Sequence, residues 1–94
     1  MTKHAVEGLT KAMALDLASY GIRVNAVAPT YVETPMTRPF FAEGPFRQDV
    51  LRRIPLARLG TIAEVAAAVM FLASPGASLI TGTSLLVDGG YTAQ

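Results

Sequence analysis

The chain has 94 residues, which is enough for one small domain with a modest hydrophobic core. Hydrophobic residues make up 51% of it and charged residues only 16%, so it carries more apolar surface than a lone small domain easily buries. The net charge of +1 gives no support to nucleic-acid binding. The lack of cysteine excludes disulfides and thiolate metal sites. No apolar run is long enough to span a membrane. These features favour a cytoplasmic protein without nucleic-acid or membrane partners.

The first predicted helix already runs at the start of the chain. It is followed by Gly21, which stands where a left-handed residue would end a helix. The segment IRVNAVA, residues 22–28, is apolar and rich in β-formers, as in a strand covered on both faces of a parallel sheet, and Pro29 is expected to stop it. In the first predicted helix, four apolar residues share one stripe: Val6, Leu9, Met13 and Leu17.

Residues 29–45 are predicted to form a loop, because prolines and a glycine punctuate them. Pro45 suits the first turn of a short helix that runs to Arg53, and Pro55 ends it. Three apolar residues are spaced to share a face of this helix: Phe46, Val50 and Ile54.

The last third of the chain begins with a capping-box pattern, in which Thr61 and Glu64 satisfy each other's backbone N–H groups at a helix start. The helix expected over residues 62–73 is apolar nearly all round, and such a helix is normally buried on more than one side. The segment SLLVDGG, residues 84–90, predicts a short strand and a glycine turn. Its Asp-Gly-Gly is interpreted as a turn and not a phosphate loop, because no helix pattern follows it.

The alternation of helices and strands argues for an α/β sheet, although two strands alone do not make a stable one. We divide the chain into a helix and strand over residues 1–28, a loop and short helix over 29–55, and a helix and last strand over 56–94.

Four stretches of the chain together resemble the C-terminal part of short-chain dehydrogenase/reductases. They are TKHAVEGLTKAMALDLASYGIRVNAVAP, TYVETPM, IPLARLGTIAEVAAAVMFLAS and TGTSLLVDGGYTA, and they cover nearly every position in the family's order. The resemblance implies the C-terminal portion of a doubly wound, Rossmann-like parallel sheet that binds NAD or NADP.

Lys3 aligns with the lysine of the family's Tyr-x-x-x-Lys motif. The resemblance implies that Lys3 activates the catalytic tyrosine and hydrogen-bonds the nicotinamide ribose of the cofactor. The tyrosine of that alignment falls two residues before Met1, and the catalytic serine and the glycine-rich phosphate turn also belong upstream. We therefore expect no turnover by the 94 residues alone.

The stretch APTYVETPM matches the family's cofactor loop. The resemblance implies that Pro29 packs on the nicotinamide face, that the backbone of Val32 meets the carboxamide, and that the Thr34 hydroxyl meets the carboxamide or a phosphate. Thr30, also counted as cofactor-binding, departs from the glycine usual in the family. Because threonine resists positive φ, either the backbone at Thr30 is ordinary or the loop is displaced.

Residues 36–54 match the family's substrate lid in position, so they are expected to close over the cofactor and substrate. The aromatic members either line an apolar wall or are ordinary core and interface residues. No metal site is expected, because the lone His4 has no cysteine or acidic cluster near it in sequence. The predicted lid residues are Met36, Phe40, Phe41 and Phe46.

Two functions remain open. The first is an oxidoreductase that transfers a hydride between NAD(P) and a small-molecule alcohol or carbonyl substrate, either a sugar or polyol or a 3-oxoacyl compound. The alternative is a non-catalytic truncated fragment that self-associates or complements a missing N-terminal half. A homo-oligomer is expected, because the resemblance places the helix near 62–73 and the segment at 84–90 against a neighbouring subunit, and because the apolar excess favours self-association. Whether the cofactor is NAD or NADP cannot be read from these residues.

Overall fold

The computed structural model of the protein describes residues 3–42 and 44–94, residue 3 by its backbone alone. The order of helices and strands confirms the predicted α/β class. In this part of the chain the α-helices are α1 (Lys3–Leu17), α2 (Pro45–Arg53) and α3 (Ile62–Ala73). The strands are β1 (Ala26–Pro29), β2 (Val32–Glu33), β3 (Gly60–Thr61) and β4 (Ser84–Val87). None of the described helices is both long and apolar enough to cross a lipid bilayer.

The strands pair in twos, β1 with β4 and β2 with β3. The β2–β3 pair is parallel, with Val32 opposite Gly60. Beside β1, the Gly82 N–H donates to the Val24 C=O at 2.8 Å and the Ala26 N–H donates to the Thr83 C=O at 2.9 Å. Residue numbers rise together along both segments, so this pairing is parallel as well. Parallel neighbours need long connections, which the helices provide.

The chain folds into two compact units that are not consecutive stretches of sequence. The first unit comprises the residues up to Ala28 together with Ala68–Leu85, and the second comprises Pro29–Ala67 together with Leu86–Gln94. Helix α3 begins in the second unit and ends in the first.

Within the first unit, α1 ends at Leu17, a 3-10 helix follows over Ala18–Tyr20, and Gly21 ends this helical stretch as predicted. Gly21 is left-handed at φ 72°, and its N–H donates to the Ala18 C=O at 3.0 Å. The predicted apolar stripe is not the buried face of α1, however, because the buried residues are Thr10 and Ala14. A Cβ placed on Gly82 would lie 3.5 Å from the Ala14 Cβ. Small residues thus allow α1 to approach the backbone at Gly82 closely, and the large apolar side chains of α1 lie outside this contact.

The strand expected from residue 22 begins only at Ala26. Side chains hold the segment before it. Arg23 donates to the C=O of Leu72 at 2.7 Å and to the C=O of Ile80 at 3.3 Å, and the Asn25 amide donates to the same Ile80 oxygen at 2.9 Å. The Val24 C=O still accepts the Gly82 N–H, but the Val24 N–H donates to the Thr81 Oγ1 at 3.1 Å, so side chains interrupt the backbone ladder before Ala26 and the strand is shorter than its composition predicted.

The second unit contains a hydrophobic cluster of its own. Helix α2 has the predicted bounds, and its inner face contributes Val50, with Ile54 directly after it. The turn after β4 closes on this cluster, since a Cβ at Gly89 (φ 63°) would lie 2.7 Å from the Ile54 Cγ2. The buried members are Phe41, Val50, Ile54 and Leu59, with Tyr31 and Leu51 packed against them.

The predicted capping box at the start of α3 is confirmed. The Glu64 N–H donates to the Thr61 Oγ1 at 3.1 Å, and the Thr61 N–H donates to the Glu64 Oε1 at 3.0 Å. Arg58 adds a bidentate pair to the Glu64 carboxylate at 2.8 and 2.7 Å. The Arg58 hydrogen bond and the Thr61 N–H together lower the pKa of Glu64 to about 2.

Helix α3 does not find burial on several sides within the described residues. Leu72 is its buried member, while most of its large apolar side chains are exposed. The exposed ones are Ile62, Val69, Met70 and Phe71.

Candidate functional site

The loop that follows β1 turns sharply at a tyrosine. The Thr30 N–H donates to the Val87 C=O at 3.3 Å, which continues the pairing with β4. Tyr31 then adopts a left-handed conformation with φ 55°. Among the described non-glycine residues, positive φ occurs at Tyr31 and Ala57 only. Thr30 therefore has an ordinary backbone conformation, which is the first of the two alternatives given for it above. The left-handed conformation falls one residue later, at Tyr31.

Three of the five predicted cofactor residues line one cleft. Pro29, Val32 and Thr34 form one side of it, and the first two turns of α3 form the other through Ile62, Val65 and Ala66. The cleft has a volume of about 400 Å³ and lies wholly within the second unit. We call it the Pro29 cleft.

Thr30 does not belong to the Pro29 cleft. It lines a separate cleft of about 430 Å³ in the second unit, together with the Arg58–Glu64 ion pair and the turn at Asp88–Gly90. That turn has left-handed glycines at φ 63° and 95°, and the Asp88 carboxylate accepts from the Gly90 N–H at 3.0 Å, which confirms it as a turn. The cofactor role of Thr30 stays a prediction.

The strand register decides where the backbone of Val32 points. The Gly60 N–H donates to the Tyr31 C=O at 3.1 Å, and alternate residues of a parallel strand face the neighbour. Val32 therefore directs its own N–H and C=O away from β3. Its C=O accepts the Thr37 hydroxyl at 3.0 Å, in agreement with this orientation.

A reciprocal pair of threonines fixes the end of β2. The Thr34 N–H donates to the Thr37 Oγ1 at 2.8 Å, and the Thr37 N–H donates to the Thr34 Oγ1 at 3.1 Å. With the Thr37 hydroxyl hydrogen on the Val32 C=O, the Thr34 hydroxyl keeps its own hydrogen to donate, either to the Thr37 Oγ1 at 3.1 Å or to a ligand. The surface of the Pro29 cleft itself is apolar, which suits one face of a flat ring, and the Thr34 hydroxyl belongs to a residue at its edge.

The predicted lid residues do not form one wall. Phe41 is buried in the hydrophobic cluster, as the core alternative describes, and it stacks on Phe46 with ring centroids 5.5 Å apart. Met36 and Phe40 are 83% and 69% exposed. The lid roles of all four residues stay predictions.

Lys3 starts α1, but its side chain lies outside the described residues, so its catalytic and cofactor roles stay predictions. His4 is exposed. Across residues 3–42 and 44–94, no group of three or more histidine and acidic side chains is arranged to hold a metal ion.

Sequence reasoning missed a chain of aromatic contacts in the second unit. The Tyr31 ring meets Tyr91 edge-on at 5.5 Å and Phe41 edge-on at 6.4 Å, and Phe41 continues to Phe46. We call these four residues the aromatic bridge. The rings come from three distant parts of the chain, so no local spacing could have predicted their contact.

Comparison with known proteins gives matches along nearly the whole chain. A family model described as enoyl-(acyl carrier protein) reductase matches residues 1–92. The short-chain dehydrogenase RED2 of Pyricularia oryzae is 52% identical over 96% of this chain and 33% of its own length. The galactitol 2-dehydrogenase of Rhizobium johnstonii is 51% identical over 98% of this chain and 36% of its own length.

Solved structures agree with these sequence matches. A 4-hydroxyisoleucine dehydrogenase complexed with NADH superposes with a TM-score of 0.92 at 33% identity, over 98% of this chain and 38% of that one. A protein of Agrobacterium tumefaciens with bound NADP superposes with a TM-score of 0.90 at 43% identity. The match covers 98% of this chain and 37% of that one. The chain thus spans about a third of the length of the curated relatives it matches. On the family model and on relatives above 50% identity, the chain belongs to the short-chain dehydrogenase/reductase family.

Proposed function

We propose that the chain forms part of an NAD(P)-dependent oxidoreductase that transfers a hydride between the cofactor and an alcohol or carbonyl substrate. The observation that carries the proposal is the Pro29 cleft, in which Pro29, Val32 and Thr34 share one apolar depression. The family membership makes nicotinamide the expected occupant, and the composition of the cleft suits its ring.

Each residue of the cleft has a defined task in this proposal. Pro29 and Val32 cover one face of the nicotinamide ring and exclude water from it. The Val32 N–H, directed away from β3, and the Thr34 hydroxyl orient the carboxamide by hydrogen bonds. Bound nicotinamide supplies the hydride donor or acceptor. The role of Lys3 beside the ribose rests on the family resemblance alone.

The nature of the cofactor and the substrate is supported by the relatives only. One structural neighbour was solved with NADH and another with NADP, so both cofactors are retained. Galactitol 2-dehydrogenases from two organisms match at 51% and 48% identity, which favours a polyol or sugar substrate. The description of the family model keeps an acyl-carrier-linked substrate as the rival.

Binding of NADH and NADPH to the purified protein, followed by calorimetry, tests the proposal. Ala66→Leu would fill the Pro29 cleft, because Ala66 lines it, and should weaken cofactor binding at least about tenfold. Ala67→Leu is the matched control on the next residue of α3, and it should bind as the wild type does. No binding by the wild type, or equal binding by both variants, would contradict the proposal.

A second candidate function is assembly without turnover. It is favoured by the apolar side chains of α1 and α3 that the described residues leave exposed, such as Leu9 and Met70. The proposed partner is a further copy of this chain. Light scattering at micromolar concentration should then report a species heavier than 9.9 kDa, and a monomer would overturn this candidate.

A further inference from the structure

The left-handed Tyr31 lies immediately before the residues that line the Pro29 cleft. A non-glycine residue with positive φ is uncommon, and for a bulky side chain it persists only when surrounding contacts enforce it. Tyr31 has φ 55°, and the next residue, Val32, begins β2. The turn at Tyr31 therefore sets the direction in which the Val32 N–H and the Thr34 hydroxyl leave the loop.

Two rings pack edge-on against Tyr31. Tyr91 meets it at 80° and 5.5 Å, and Phe41 meets it at 86° and 6.4 Å. Both are the edge-to-face geometry that aromatic pairs prefer. The Tyr31 C=O is fixed as well, because it accepts the Gly60 N–H at 3.1 Å.

The C-terminal segment keeps Tyr91 in place. The Leu56 N–H donates to the Gly89 C=O at 3.0 Å, and the Tyr91 N–H donates to the Asp88 C=O at 3.1 Å. The Gln94 amide donates to the Arg53 C=O at 2.7 Å, at the end of α2. The Tyr91 ring is therefore mounted on a turn that is bonded on both sides.

We propose that Tyr31 is a positioning residue of the cofactor site, and that Tyr91 and Phe41 hold its left-handed turn so that Val32 and Thr34 face the Pro29 cleft. The proposal rests on the function proposed above for that cleft. It assigns to Tyr91 and Phe41, which do not line the cleft among the described residues, an indirect effect on cofactor affinity.

The first experiment measures amide hydrogen exchange without cofactor. Tyr91→Leu removes one of the two rings and leaves every cleft residue unchanged, so exchange of the Thr34 amide, which donates to the Thr37 Oγ1 at 2.8 Å, should quicken about three- to tenfold. Tyr31→Phe keeps both ring contacts and should exchange as the wild type does. Unchanged exchange in Tyr91→Leu would overturn the proposal.

The second experiment measures the Kd for NADH in the same variants. Tyr91→Leu and Tyr31→Ala should bind about three- to tenfold more weakly, and Tyr31→Phe should bind normally. Leu72→Ala, a buried change in the first unit, is the control for general destabilisation and should leave the Kd unchanged. If the Kd rises in proportion to the loss of unfolding free energy in all four variants, Tyr31 has a structural role only and the proposal is wrong.

The two experiments separate the two proposals. If the wild type binds neither NADH nor NADPH, the proposed function fails, while the exchange result still decides whether Tyr91 controls the loop. If the wild type binds but Tyr91→Leu changes neither exchange nor Kd, the positioning role of Tyr31 fails alone.

Discussion

The two units of the protein bury large apolar side chains to different extents. The second unit closes Phe41, Val50, Ile54 and Leu59 into a cluster, and it also holds the Pro29 cleft and the aromatic bridge. In the first unit the buried residues are mostly small, and large apolar side chains are left on the outside of the described structure. The exposed set of the first unit is Val6, Leu9, Met13, Leu15, Tyr20, Ile22, Val69, Met70, Phe71 and Leu79.

This difference shows what each unit needs in order to be stable. The second unit has hydrophobic burial of its own, and the first relies on close small-residue packing and on polar side chains such as Arg23 and Asn25. Among the described residues, ten large apolar side chains are exposed in the first unit and six in the second, so the larger part of the apolar excess lies in the first unit.

The largest expected effect comes from truncating an apolar side chain in each unit. Ile54→Ala removes a side chain that is 3% exposed and should lower the free energy of unfolding by about 2–5 kcal/mol in urea titrations. Leu79→Ala, at a residue 96% exposed, should change it by less than about 0.5 kcal/mol. Equal losses would show that the two units do not differ as the burial indicates.

Two left-handed glycines provide the next comparison. Gly21→Ala and Gly89→Ala both place a methyl group at positive φ, at 72° and 63°. At Gly21 nothing lies within 4 Å, so only backbone strain of about 1 kcal/mol is expected. At Gly89 the methyl group would meet the Ile54 Cγ2 at 2.7 Å, which adds roughly 1–3 kcal/mol. Thermal unfolding of both variants measures this, and equal Tm values would contradict the close contact.

Two exposed methionines test whether only the first unit assembles. Met70 in the first unit is 72% exposed and Met36 in the second is 83% exposed. If the first unit contains the assembly surface, Met70→Asn should reduce the heavier species in light scattering several-fold, whereas Met36→Asn should not. A matching effect of both substitutions would argue for nonspecific association.

The smallest expected effect concerns pH and the start of α3. The pKa of Glu64 is lowered from 4.5 to about 2, so its ionised form is favoured by folding. Its contribution to stability is complete above pH 4.5 and is lost as the pH falls towards 2. Glu64→Gln keeps the cap but loses the charge paired with Arg58. The Tm difference between the wild type and Glu64→Gln should therefore shrink between pH 5 and pH 2, and a constant difference would contradict this.

Local signals predicted the local structure well. The bounds of α2, the capping box of Thr61 and Glu64, and the left-handed Gly21 follow from interactions within a few residues. The parallel pairing of Val32 with Gly60 could not be predicted, because strands of two residues have no periodicity and pair across a long connection.

Only part of the candidate site could be predicted, because some of its contacts join residues that are distant in sequence. The resemblance placed Pro29, Val32 and Thr34 together, and the structure brings them into one cleft. It drew attention to Thr30, whereas the unusual backbone lies at Tyr31. The contacts that surround Tyr31 come from Phe41, Gly60 and Tyr91, which are too far from it in sequence for local spacing to predict them.

The connection from the end of α3 to Ile80 is hydrogen-bonded near both of its ends to one side chain. The Arg23 guanidinium donates to the Leu72 and Ile80 carbonyls. When the ends of a loop are pinned, doubling its length costs only about 0.6 kcal/mol. Leu79, within this connection, is 96% exposed. The stretch is therefore a natural insertion point, where a reporter peptide could be carried without disturbing the Pro29 cleft, provided that Arg23 is kept.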